Sequence, residues 1–254
     1  MKAFVSEQFR ALLSAVQFLT TLPTPARGDS SARQQGLSLL WYPAVGLLLG
    51  LMLTLALTLL PLPFYLQAAV AVVLWVVLTG GLHLDGVADC ADAWMGGLGD
   101  REQTLRLLQD PLCGSMGVIA LVIVIVLKAA ALAAVIQAGQ SMWLWSVPLL
   151  ARLALLLLFL TTPYVRAQGL GEVLAQHFPR NWAKAWLLVA GLLLLCILPL
   201  DLWCAFALGS AAIFLLVRAA AMRRLGGFTG DVAGAQVELV EVGLLLALAC
   251  RTVS

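Results

Sequence analysis

Seven stretches of the chain are continuously apolar, running roughly over 39–60, 64–82, 117–138, 142–162, 185–200, 202–218 and 236–250. A helix needs about 20 residues, with about 17 tolerated, to cross a hydrocarbon core. The first four meet that length and the last three are short, so the pattern predicts six or seven spans. Backbone groups in lipid must be bonded internally, and barrel strands would alternate in polarity rather than run continuously apolar. The expected fold is therefore all-α: a polytopic integral membrane helical bundle of about six to seven transmembrane helices, forming one domain over residues 1–254.

Ahead of the first span, FRALLSAVQFLTTLPTPARG is helical in pattern up to Pro23. Phe9, Leu12, Leu13, Val16 and Leu19 could form one stripe, so residues 1–37 read as an N-terminal amphipathic or interfacial segment. Its Lys2, Glu7 and Arg10 argue against a cleavable signal. A second polar segment, 83–116, reads as a cytoplasmic acidic loop, with a short helix from about 101 to 109. Asp100 and Gln103 form a capping box at its start, and Pro111 ends it.

Composition agrees: 62% of residues are hydrophobic and 11% charged, outside the range of soluble domains. Five cysteines at 90, 113, 196, 204 and 250 form no CxxC pair, which argues against thiolate metal sites and a disulfide framework. The net charge of +2 implies no nucleic-acid partner. Its distribution matters more. Twelve of the 15 basic residues fall in the N-terminal segment and in 83–116, 163–184 and 218–235; the alternate connections, 61–63, 139–141 and 199–201, hold none. By the positive-inside rule the N-terminus and the long loops face the cytoplasm.

Basic residues explain the orientation but not why the acids cluster. GGLHLDGVADCADAW, Gly80–Trp94, places Asp85, Asp89 and Asp92 within about 60° on one face of a helix continuing from the second span. Like charges on one stripe repel and need a countercharge; a divalent cation with oxygen ligands, Mg²⁺ most simply, supplies it. GGFTGDVAGAQVELVE, Gly226–Glu241, repeats the logic with Asp231 and Glu238, seven apart, and Glu241 further round. Glu238 and Glu241 fall inside the last span, where ionisable side chains usually serve a purpose. Two glycine-rich helix entries, Thr229–Gly230 and Gly114–Ser115, are candidate phosphate cradles. Asp110 reads as either turn former or ligand. Lys128 and Arg152, deep in their spans, pair with Glu238 or Glu241 or contact a polyanionic substrate. His83 borders the acidic stripe, whereas His177 reads as an ordinary loop residue.

Acidic stripes, glycine turns and no Walker A, GxSxG or HExxH motif point to a membrane transferase acting on an activated diphosphate. A CDP-alcohol phosphotransferase shares the Asp-rich helix, although here Asp89, not Arg, follows Ala88. A cation transporter would also place acids in membrane helices, more naturally near the midplane.

Taken in order, GGLHLDGVADCADAW, QDPLCGSMGVIAL and GGFTGDVAGAQVELVE, with QFLTTLPTP and PYVRAQGLG, resemble the cobalamin synthase family of adenosylcobinamide-GDP ribazoletransferases over nearly the whole chain. Ala93 stands where the pattern has glycine. The resemblance implies a Mg²⁺-dependent enzyme of the bacterial inner membrane with its active site facing the cytoplasm. Its substrates would be adenosylcobinamide-GDP and α-ribazole or its 5′-phosphate, with GMP released. Homo-oligomers or association with other cobalamin-assembly enzymes are further expectations. On this sequence Asp85, Asp89, Asp92, Asp231 and Glu238 would hold Mg²⁺, and Asp89 or His83 would accept the proton of the attacking hydroxyl. Asp110, Gly114, Ser115, Arg166, Thr229 and Gly230 would contact substrate.

Overall fold

The computed structural model describes residues 2–25, 31–167 and 169–251; Arg27, counted above among the N-terminal basic residues, lies outside them. They form a helical bundle with no strand, only an isolated parallel bridge between Tyr164 and Phe228. The helices, in chain order, are α1 (Lys2–Leu19), α2 (Ala32–Ser38), α3 (Tyr42–Leu59), α4 (Phe64–Thr79), α5 (Leu82–Gly96), α6 (Arg101–Leu107), α7 (Ser115–Gln137), α8 (Ser146–Thr161), α9 (Leu170–Gln176), α10 (Arg180–Ile197), α11 (Leu200–Leu225) and α12 (Gly230–Cys250).

Among the described residues six helical segments are long and apolar enough to cross a membrane, or seven if α4 and α5 together count as one broken span. α12 sits at the centre, packed on α5, α7, α8 and α11. The outer helices present exposed apolar side chains, such as Val122 and Val126 of α7, Leu188 and Leu192 of α10 and Leu215 and Leu216 of α11. In water such faces would be a liability; in a bilayer they meet acyl chains. Between helices the hydrophobic drive is absent, so small residues permit close approach. A Cβ on Gly46 of α3 would lie 2.5 Å from the Pro148 carbonyl oxygen of α8.

The second apolar stretch does not run straight into the acidic stripe. α4 stops at Gly80 and Gly81, both left-handed (φ 62° and 71°), and α5 leaves at 90°. Two successive positive φ values are open to glycine at little steric cost. The turn would strand carbonyls of α4, and Thr21 takes them up: its N–H donates to Leu78 O (2.8 Å) and its hydroxyl to Val77 O (2.8 Å). This gives the TTLP segment a structural task. Segment 83–116 is accordingly not a loop, since α5 and α6 occupy most of it. Of the expected capping box one arm forms, the Asp100 carboxylate accepting from Gln103 N at 2.7 Å, while the Gln103 side chain donates to Gly96 O (3.0 Å) instead of returning to Asp100.

α1 is helical over the expected run, but its buried side is Ala11, Ala15 and Leu19, four residues apart, while Phe9 is 58% exposed. Small residues let α1 lie close on the bundle, so the bulkier Phe9 turns outward. At the opposite end of the bundle from the acids, Arg251 pairs with Asp201 and reaches Gln140 (3.3 Å). That contact puts the 139–141 and 199–201 connections on one side, away from the long basic segments.

Candidate active site

Two glycines bring the acidic clusters together. A Cβ on Gly86 of α5 would lie 2.5 Å from the Asp231 carbonyl oxygen of α12, and Gly234 of α12 lies against the His83 backbone. This close crossing sets Asp85 and Asp89 beside Asp231. Asp89 experiences Asp85, Asp231 and Asp92 as like charges and Arg166 as an opposing one. Thr229 caps α12 by accepting from Val232 N (3.4 Å), and its hydroxyl donates to Asp231 Oδ2 (3.1 Å).

Arg166 reaches this crossing through the one bridged segment. Val165 N donates to Phe228 O (3.0 Å) and Phe228 N to Pro163 O (2.9 Å), which lashes the chain after α8 to the turn before α12. Arg166 Nη1 then lies 3.2 Å from Asp231 Oδ2. Tyr164, in the same segment, is packed beneath Gly169 and Gly171, where any Cβ would strike its ring. Burial, with Asp231 adding to it and Arg166 opposing, pushes its phenol pKa up, so it is a neutral hydroxyl at the rim.

Asp85, Tyr164, Arg166 and Asp231 open onto a cavity of about 410 Å³ whose lining also includes His83 and Gly230. Phe18, Tyr42, Leu155, Phe159 and Leu174 add apolar and aromatic side chains to the same lining. Tyr164, Phe18 and Tyr42 were not singled out by the sequence pattern. Tyr164 and Phe18 do stand inside the PYVRAQGLG and QFLTTLPTP segments, which was the available signal.

The other expected site residues lie elsewhere. Both oxygens of Asp92 are held by the start of α7: Oδ2 accepts from Gly114 N (2.7 Å) and Oδ1 from Gly117 N (2.9 Å). The anion seated on the Gly114 and Gly117 amides is thus a side chain of the protein, and Asp92 is bonded there where Asp85 and Asp89 are open. Asp110 sits in an exposed turn with Oδ1 accepting from Leu112 N (3.0 Å) and does not line the cavity.

Glu238 is also removed from the acidic crossing. Its Oε2 lies 2.7 Å from Lys128 Nζ, and Lys128 bonds Glu241 at the same distance. Arg152 completes the group by pairing with Glu241. All four side chains are at most 4% exposed, and Lys128 also lies 4.2 Å above the Trp75 ring. Two cations and two carboxylates make the group neutral, which is how ionic side chains persist in low dielectric. The structural-pair alternative for Lys128 and Arg152 is the one observed.

Arg152 Nη2 is 3.4 Å from His83 Nδ1. A guanidinium only donates, so this ring nitrogen accepts and the ring proton sits on Nε2. His83 therefore presents a donor, not a base, on its other edge.

Among the described residues no group of three or more His, Cys, Asp or Glu side chains is placed to hold a metal ion. The open carboxylates Asp85, Asp89 and Asp231 are nevertheless all hard oxygen donors crowded with few countercharges, a donor chemistry that fits Mg²⁺.

The family model described as cobalamin-5-phosphate synthase matches residues 11–249. The chain is 53% identical over 241 residues to the adenosylcobinamide-GDP ribazoletransferase of Ectopseudomonas mendocina (strain ymp), covering 92% of this chain and 96% of that one. It is 53% identical over 245 residues to the protein of the same name from Stutzerimonas stutzeri (strain A1501), with 94% and 98% covered. Identity is 50% over 244 residues to that of Pseudomonas putida (strain W619), again covering 94% and 98%. No solved structure matches. With a match spanning nearly the whole chain, the protein belongs to the cobalamin-5-phosphate synthase family.

Proposed function

We propose that the protein joins adenosylcobinamide-GDP to α-ribazole or its 5′-phosphate, forming a cobalamin and releasing GMP. The observation that carries this reading is the meeting of Asp85, Asp231 and Arg166 in the lining of one cavity, with Asp89 near enough to feel all three, in a chain whose relatives bear the transferase name.

The acceptor's ribose hydroxyl attacks the cobinamide-side phosphorus of the diphosphate. The new P–O bond forms as the bond to GMP breaks, and the hydroxyl proton passes to a carboxylate. Asp89 is the group we assign to that proton, because His83 offers only a donor there. Arg166 has one nitrogen on Asp231 and further N–H groups to offer a phosphate oxygen. The neutral Tyr164 hydroxyl and His83 Nε2–H line the same space as donors. Asp85, Asp89 and Asp231 would hold Mg²⁺, with Glu238 and Asp92 committed elsewhere. When bound, the metal would neutralise charge on the diphosphate.

The site lies where α7 and α12 begin and where α8 and α11 end, the end that carries the basic segments. We place that end in the cytoplasm of a bacterial inner membrane. The test is direct: purified protein in nanodiscs, given both substrates, should release GMP and form the joined corrinoid in equal amounts. Folded protein that yields neither product would remove the reading.

A further inference from the structure

The cavity beside the carboxylates is lined by two unlike sets of side chains, and the transfer chemistry uses one. In the other, Phe18 of α1 and Tyr42 of α3 stack with ring centroids 6.0 Å apart and planes 19° from parallel. Tyr42 is 2% exposed and Phe18 40% exposed, so Tyr42 backs Phe18 and the Phe18 ring is the aromatic wall left accessible. Leu155, Phe159 and Leu174 close the space around it.

We infer that this wall is the seat of the acceptor nucleoside's base. A flat, apolar heteroaromatic ring stacks against Phe18, which Tyr42 backs, and its ribose extends toward Asp85, Asp89 and Asp231. The inference rests on the reaction proposed above and adds the place and selectivity of one substrate.

Three observations favour this occupant. The first is size. A volume of about 410 Å³ lies in the range of about 300–1,000 Å³ for sites that enclose small ligands. A nucleoside fits; a corrin ring with its side chains does not, so the donor reaches this space only by its diphosphate end. The second is polarity. Guanine carries donors and acceptors around its edge that must be bonded when buried. The apolar set offers hydrocarbon side chains and a single Tyr hydroxyl, which suits a base with an apolar edge, such as the benzimidazole of ribazole. The third is combination. Aromatic side chains and carboxylates line one cavity, matching a nucleoside with an apolar base and a hydroxylated sugar.

The test is α-ribazole binding to the full-length protein in nanodiscs, without the corrinoid donor, measured by calorimetry. Phe18→Leu keeps an apolar side chain of similar bulk and removes the flat face; Phe18→Trp restores one. Loss of base stacking is expected to weaken α-ribazole roughly tenfold or more in Phe18→Leu, with recovery in Phe18→Trp and no competition from inosine. In turnover, KM for α-ribazole should rise with KM for the corrinoid donor unchanged. Wild-type α-ribazole affinity in Phe18→Leu, or inosine binding as well as α-ribazole, would overturn the inference. The two proposals fail separately. Phe18-dependent α-ribazole binding without GMP release would leave this site standing and remove the reaction. GMP release with an unchanged α-ribazole KM in Phe18→Leu would do the reverse.

Discussion

The carboxylate of Asp92 lies 2.7 Å from the backbone nitrogen of Gly114, and its second oxygen lies 2.9 Å from that of Gly117. A Cβ on Gly114 would stand 2.6 Å from the same carboxylate. One acid of the stripe is therefore spent on the N-terminus of α7, where orphan N–H groups and the helix dipole favour an anion. Asp85 and Asp89 have no such engagement. Identical residue types on one helix face thus divide into a fastener and two acids not so fastened, and substitutions should separate them.

Asp92→Ala should destabilise the protein by about 1–2 kcal/mol, the scale of losing a helix cap. Thermal unfolding in detergent reads this as a lowered midpoint. Asp85→Ala and Asp89→Ala should keep a wild-type midpoint and abolish GMP release. The opposite pattern would exchange the roles assigned to these acids.

Gly86→Ala should push α5 from α12, because the new Cβ falls on the Asp231 carbonyl. Overpacking of this kind costs about 1–3 kcal/mol, and activity should fall further than stability because the carboxylates separate. Gly209, inside α11, whose Cβ would meet nothing within 4 Å, is the control: Gly209→Ala should leave activity unchanged and should not lower stability, since alanine is the better helix former.

The buried ionic group predicts a rescue. Lys128→Met leaves two carboxylates against one cation, and breaking a buried pair costs about 3–5 kcal/mol. Adding Glu238→Gln restores neutrality, so the double variant should unfold at a higher temperature than Lys128→Met alone. A double variant less stable than the single would show that charge balance is not what holds these side chains.

Arg166→Ala should lower kcat/KM by about 10²-fold, the scale for removing one donor from a developing charge. Its KM for α-ribazole should change little. Arg166→Lys should recover only part, since a single ammonium cannot bond Asp231 and a phosphate with the same fork. Steady-state kinetics with each substrate varied in turn would measure both.

Much of this arrangement is legible in the chain. Apolar runs mark the spans, and the spacing of Asp85 and Asp89 marks their shared face. Other features depend on depth or on distant partners. Glu238 shares a face with Asp231, but seven residues of helix put it about 10 Å deeper, level with Lys128 rather than with the aspartates. Spacing along one helix carries angle well and says nothing of which neighbour stands at that depth. Asp92 meets its partners 22 and 25 residues away, across α6, so the cradle at Gly114 is as readable for a phosphate as for a side chain. The bend at Gly80–Gly81 sits inside an uninterrupted apolar pattern, and its cause is a backbone conformation rather than a change of polarity. Phe18 and Tyr42 read as ordinary apolar positions because their role arises only when α1 and α3 meet beside α5.

The central claim is that Asp85, Asp89 and Asp231 hold Mg²⁺ against the diphosphate. The most direct measurement is the Mg²⁺ dependence of GMP release in nanodiscs, for the wild type and for Asp231→Asn and Asp85→Asn. The account predicts no release without a divalent cation, restoration by Mg²⁺, and a requirement for more Mg²⁺ in both variants. Release that persists in excess chelator, or variants with the wild-type Mg²⁺ dependence, would contradict it.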